Sequence, residues 1–145
     1  IPLAKGASQP DVLQVRRQAT RGSERLLVAE DEPLLRQLTE RSLSRLGYSV
    51  VTTGDGEEAL HEFEREPEAF DLVVLDVVMP RLGGREAFDR MRVRRPDLKV
   101  LFVTGYAPES TGMAELLSDP SLGLLMKPFT SMELAERVRA VLERH

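Results

Sequence analysis

Residues 72–80 read LVVLDVVMP, and this stretch decides the architecture. Its first four residues are apolar without alternation, so a strand here has both faces covered, as strands do inside a parallel sheet flanked by helices. The same arrangement repeats outward in both directions. LLVA at 26–29 precedes a segment of helical period over 33–46, and YSVVTT at 48–53 precedes another over 56–65. DLVVL at 71–75 leads into 84–94, KVLFVT at 99–104 into 109–118, and LLM at 124–126 into 131–144. Five strand-helix units predict an α/β fold built on a parallel sheet.

Helix ends carry their own chemistry. Pro33 suits a first-turn position, Asp55 with Glu58 and Thr130 with Glu133 have capping-box spacing, and Gly47 follows Leu46 as a C-cap glycine would. Leu134, Val138, Val141 and Leu142 form an apolar stripe on the last helix, read as core packing.

The 145 residues suit one domain with a short appendage. Absence of cysteine excludes disulfides and thiolate metal sites, and His61 and His145 are too far apart to suggest zinc. Residues 1–24 hold Pro2, Gly6, Ser8, Pro10, Gly22 and Ser23 and are read as a linker or N-terminal extension, with a short helix over DVLQVRRQA as its one candidate element. The chain begins at Ile1 without an initiator methionine, which suggests a piece or processed form of something longer. The formal charge is −4; Lys5, Arg16, Arg17 and Arg21 against Asp11 and Glu24 make residues 1–24 net +2, leaving −6 on residues 25–145. Such an acidic globule opposes direct nucleic-acid binding. No apolar stretch is long enough for a membrane span, so no membrane contact and a cytoplasmic location are expected.

In an open parallel sheet, ligands bind beyond the carboxyl ends of the strands. Those ends are Glu30 and Asp31, Asp76, Thr104 and Lys127. Carboxylates gathered on one edge repel unless a cation sits among them. Magnesium, or manganese, fits a mostly open cluster of oxygens better than calcium, which wants more protein ligands. A carboxylate can accept a phosphoryl group while a metal, an amine and a hydroxyl neutralise its oxygens. Asp76 is the candidate acceptor because it ends a buried run in mid-sheet. Against this stands the simpler reading that acids at strand ends only cap the next helix, as Asp31 before Pro33 could; five suitable residues at four strand ends outweigh it.

LLVAEDEP, LVVLDVVMP with GG following, FVTGY and LLMKPF resemble, in order and spacing, the signature blocks of response-regulator receiver domains of two-component signalling. The resemblance covers residues 25–145 and implies a flavodoxin-like five-stranded parallel sheet, order 2-1-3-4-5, with five flanking helices. It implies Asp76 as phosphoacceptor, with Asp31, Asp76 and the Val78 backbone carbonyl on magnesium and Glu30 reaching it largely through water. Thr104 and Lys127 would contact phosphoryl oxygens, and the Lys127–Pro128 peptide would be cis. The phosphodonor would be a phosphohistidine on a histidine kinase or histidine phosphotransfer protein, and protein contacts would switch around 109–118, the last strand and the last helix, with a phosphorylation-dependent homodimer left open. The domain would catalyse only its own phosphorylation and dephosphorylation. FVTGYA is similar to receivers attached to hybrid histidine kinases, and IPLA to the last strand of a kinase ATP-binding domain. One departure stands out: Leu124 occupies the position of the family's switching aromatic, and Tyr106 is the aromatic that could gate the site instead. Val78 and Tyr106 are poor at orienting an attacking water, so a long-lived phosphoryl group is expected.

Three rivals remain. Gly54, Gly56 and Ala59 fit a G-x-G-x-x-G/A dinucleotide fingerprint, but Asp55, Glu57 and Glu58 would set carboxylates where pyrophosphate belongs. A haloacid-dehalogenase-type phosphatase lacks its second acid, since Val77 and Val78 follow Asp76. The alternative function is a receiver-like protein-binding module that works without phosphorylation; intact Asp31, Asp76, Thr104 and Lys127 oppose it.

Overall fold

Every strand of the central sheet sorts its side chains by the period of two. Leu27, Ala29, Val73, Leu75, Val100, Phe102 and Leu122 face one layer of helices, while Leu26, Val28, Leu72, Val74, Leu101, Val103 and Leu125 face the other. That is why LVVL shows no polar position: both of its faces are core.

The computed structural model describes residues 20–107, 109 and 112–144. The elements are β1 (Arg25–Ala29), α1 (Pro33–Arg45), β2 (Ser49–Thr53), α2 (Gly56–Arg65), β3 (Leu72–Asp76), α3 (Gly84–Arg94), β4 (Val100–Thr104), a 3-10 turn (Leu116–Ser118), β5 (Leu122–Met126) and α4 (Ser131–Leu142). All neighbouring strands pair in parallel, in the order β2-β1-β3-β4-β5. Ala59 and Phe63 of α2 and Ala87, Phe88 and Met91 of α3 fill one face, where Phe88 meets Phe102 edge to face with centroids 5.2 Å apart. Leu43 of α1 and Leu134, Val138 and Val141 of α4 fill the other. The stripe expected on the last helix is core.

Two expectations need correction. Of five expected helices, four are α-helices among the described residues; the segment 109–118 is only partly described, and there Leu116–Ser118 forms a 3-10 turn. The last strand starts at Leu122 rather than Leu124, because Gly123 and Leu122 pair with Leu101 and Val100 of β4. Composition alone hides this, since glycine weakens the strand signal. The DVLQVRRQA helix and the IPLA strand lie outside the described residues.

Caps follow the sequence with one refinement. Pro33 opens α1, Gly47 follows it at φ 106°, and Thr130 with Glu133 forms a complete capping box. Asp55 caps α2 by accepting from Glu58 N, but Glu58 turns back to Gly54 N, not to Asp55 N. Among the described residues no helix is long and apolar enough to cross a membrane.

Candidate active site at the carboxyl edge of the sheet

Parallel strands deliver their last residues to one edge, and here that edge is acidic. Asp76 ends β3, Glu30 and Asp31 directly follow β1, Thr104 ends β4 and Lys127 directly follows β5. Carboxylate oxygens of Glu30, Asp31 and Asp76 lie within 4.8 Å of one another. Glu30 and Asp76 are each 4% exposed and Thr104 1%, whereas Asp31 is open to solvent.

Lys127 ties the cluster together. Its Nζ lies 2.8 Å from Asp76 Oδ2 and 3.1 Å from Glu30 Oε1. The second Asp76 oxygen, Oδ1, accepts from Val78 N at 3.2 Å. Glu30 Oε2 accepts from Glu32 N at 3.1 Å, and Arg36 Nη1 donates to the Glu30 carbonyl at 2.8 Å. Thr104 is one residue beyond Val103, the register partner of Asp76; its hydroxyl oxygen accepts from Tyr106 N at 3.1 Å and its carbonyl from Lys127 N at 2.8 Å. The Lys127–Pro128 peptide is cis, as the resemblance implied.

One ammonium cannot compensate three carboxylates. Burial, with the Asp76 charge beside it, pushes the Glu30 carboxyl up to about 7, against the pull of Glu32 N–H and Lys127. Burial alone would lower the Lys127 ammonium, but its hydrogen bonds to Asp76 and Glu30 outweigh that and hold it above its ordinary value. The donor set fits a hard divalent cation: three close oxygens, two of them buried, with a charge deficit at the rim of the fold. Asp31 is not serving as a helix cap, because Glu32 occupies the N-cap of α1 and no side chain accepts there.

The surroundings are shallow. A concavity of about 600 Å³ lies between α1 and α4 against Thr20, Arg21 and Met132 and includes none of the acidic residues. Beside the cluster lies a depression of about 360 Å³ lined by Glu32, Leu35, Lys127, Pro128 and Phe129. A rim of this kind admits a side chain offered by another macromolecule more readily than it encloses a metabolite. The dinucleotide alternative also fails here, because the amide of Glu58 in the first turn of α2 is taken by the Asp55 carboxylate.

Residues 26–139 match the family described as the response regulator receiver domain. The chain belongs to that family. Its similarity to the sensor kinase CckA of Brucella abortus is 39% identity over 123 residues, covering 85% of this chain and 13% of the kinase. A probable transcriptional regulator of Guillardia theta is 40% identical over 124 residues, 83% of this chain and 46% of that protein. The receiver therefore spans less than half the length of either relative. Among solved structures, response regulator TrrA of Thermotoga maritima in complex with Mg2+ and BeF superposes with a TM-score of 0.70 at 33% identity, covering 81% of this chain and 98% of that one. The chain is thus a phosphoacceptor signalling domain of the two-component type, with the fold order read from its sequence.

The structure gathers Glu30, Asp31, Asp76, Thr104 and Lys127 at one edge, as sequence reasoning expected, and adds two residues that it did not single out. Arg36 and Arg81 reach the loops around the cluster, Arg81 through an ion pair with Asp55 at 2.7 Å. Neither carried a signal in the sequence: the positive φ of Arg81 is a backbone property that an arginine between Pro80 and Leu82 does not announce.

Proposed function

We propose that Asp76 accepts a phosphoryl group from a phosphohistidine on a histidine kinase or histidine phosphotransfer protein. The observation that carries this is Lys127 Nζ held between Asp76 Oδ2 and Glu30 Oε1 at a sheet edge that also gathers Asp31. An Asp76 oxygen attacks phosphorus, the bond from phosphorus to imidazole nitrogen breaks, and the leaving imidazole retains the nitrogen's electron pair. Lys127 then exchanges part of its carboxylate pairing for a phosphoryl oxygen, and the Thr104 hydroxyl donates to another. Asp31, Asp76 and the Val78 carbonyl would hold Mg2+ or Mn2+ directly, with Glu30 acting through water. The cation supplies positive charge against the equatorial oxygens.

The domain catalyses its own phosphorylation and slow dephosphorylation. Val78 and Tyr106, 57% and 58% exposed, offer no acid or amide side chain to orient a water, which supports a long-lived phosphoryl group. Leu124, half-buried against the core on the α2–α3 side, leaves no aromatic to swing inward at that position. Residues 25–145 are the receiver and 1–24 a linker, and the likeness to CckA supports an origin beside a kinase. A cytoplasmic setting and a phosphorylation-dependent homodimer complete the reading.

The test is intact mass after incubation with Mg2+ and acetyl phosphate, for wild type and Asp76→Asn together. One added phosphoryl group on wild type alone is expected. An unmodified wild type across several histidine phosphodonors would return the binding-module reading.

A further inference from the structure

The loop from Asp76 to α3 is held by more than its own chain. Arg81 is the one non-glycine residue with positive φ among the described residues, at 67°. Across it, Leu82 N donates to the Pro80 carbonyl at 2.8 Å, so residues 80–82 form a γ-turn of the rare positive-φ kind. Glycine would adopt this backbone at less cost, so an arginine here points to a role for its side chain. That side chain places Nη1 2.7 Å from Asp55 Oδ2. Asp55 is buried, its side chain 6% exposed, and its other oxygen accepts from Glu58 N at 2.9 Å.

The loop has no slack at either contact with its neighbours. A methyl group on Gly84 would lie 2.2 Å from the Asp76 carbonyl oxygen, and one on Gly56 would lie 2.0 Å from the Leu82 carbonyl oxygen. Within this frame Val77 N donates to Val103 O at 2.9 Å, and Val78 N reaches Asp76 Oδ1. Moving residues 80–82 therefore moves Val78 and with it the orientation of the Asp76 carboxylate.

We propose that Arg81 and Asp55 are a positioning pair that holds the γ-turn, keeps the Val78 backbone on the acidic cluster and thereby sets the divalent-cation affinity of the site. This rests on the receiver chemistry proposed for Asp76. An exposed ion pair contributes little by itself. Here one partner is buried, and the restraint acts on a strained turn two residues beyond Val78.

Charge alone would act differently. Removing a cation near the carboxylates would tighten Mg2+ binding and removing an anion would weaken it, whereas loss of positioning weakens binding in both cases. The experiment titrates Mg2+ alone into wild type, Arg81→Gly, Asp55→Asn, the double variant and Arg81→Lys, following backbone amide resonances, with thermal midpoints in chelator beside it. Glycine suits the positive φ, and asparagine keeps the α2 cap. Each single removal is expected to weaken Mg2+ about tenfold, as groups that orient metal ligands do. The double variant should be no weaker than either single one, Arg81→Lys should recover most of the loss, and midpoints in chelator should stay level. Opposite signs for Arg81→Gly and Asp55→Asn, unchanged affinities, or losses that track a falling midpoint would each overturn the proposal. Acetyl phosphate is added last; a wild type that binds Mg2+ but takes no phosphoryl group removes the phosphoacceptor reading, and the Mg2+ series still decides the pair.

Discussion

Two glutamates flank the same strand and meet opposite fates. Glu24 precedes β1 and lies against Arg139, with Oε2 2.7 Å from Nη2 and Oε1 3.1 Å from Nη1. Arg139 also donates to Tyr48 Oη at 3.1 Å, and Lys99 Nζ closes the same end of the fold on the carbonyls of Leu142 and Arg144. The hydrogen bond from Arg139 holds the Glu24 carboxyl below its ordinary value. Glu30, five strand residues later, is buried beside Asp76 with one shared lysine, and its carboxyl is pushed up to about 7. At one end of the sheet the glutamate is paired with an arginine, and at the other Glu30 and Asp76 share one lysine. The difference is the one the proposed function requires: a site that is to take up a cation and a phosphoryl group would be spoiled by side chains that neutralised it beforehand.

The largest expected contrast is chemical. Asp76→Asn should abolish the added phosphoryl mass, while Glu24→Gln should leave its extent unchanged; equal loss in both would break the division between the ends.

Stability gives the next contrast, measured by denaturant unfolding in chelator. At pH above 7, Glu30→Gln should stabilise the fold by on the order of 2–3 kcal/mol, since it removes a carboxylate held in an unfavourable charged state. Glu24→Gln should cost about 1 kcal/mol, discounted for its partial exposure. The pH profiles should separate in sign. Because the folded Glu30 carboxyl lies above its unfolded value, its stabilising contribution is full below the ordinary carboxylate range and is lost as pH rises through about 7. Glu24 is the reverse, contributing above that range and losing its contribution as pH falls. Glu30→Gln should flatten the neutral side of the profile and Glu24→Gln the acid side.

An effect of similar small size comes from Mg2+ itself. At ten times its dissociation constant it should stabilise wild type by about 1.4 kcal/mol. The gain should be larger at pH 8 than at pH 6, because a proton on Glu30 competes with the cation. Thermal midpoints with and without Mg2+ check this, and a gain that Asp31→Asn leaves intact would remove the cluster as the binding site.

Much of this was legible beforehand because it is local. The unbroken run LVVL required two covered faces, Pro33 and Thr130 marked helix starts through backbone chemistry, and a parallel sheet must bring its strand ends to one edge. That rule placed Glu30, Asp31, Asp76, Thr104 and Lys127 together without any knowledge of distances. Leu122 and Gly123 were missed at the start of β5 because their strand character comes from pairing with β4, not from their own propensity.

The sequence by itself determined most of the elements, most of their caps and the list of residues at the carboxyl edge, since period and capping depend on neighbours a few positions away. Only the tertiary structure decided which charges were compensated. Glu24 finds Arg139 across 115 positions, Asp55 finds Arg81 across 26, and Glu30 finds no cation of its own. Burial and Coulomb interaction depend on distance in space and on excluded water, and neither is a property of adjacent residues in the chain.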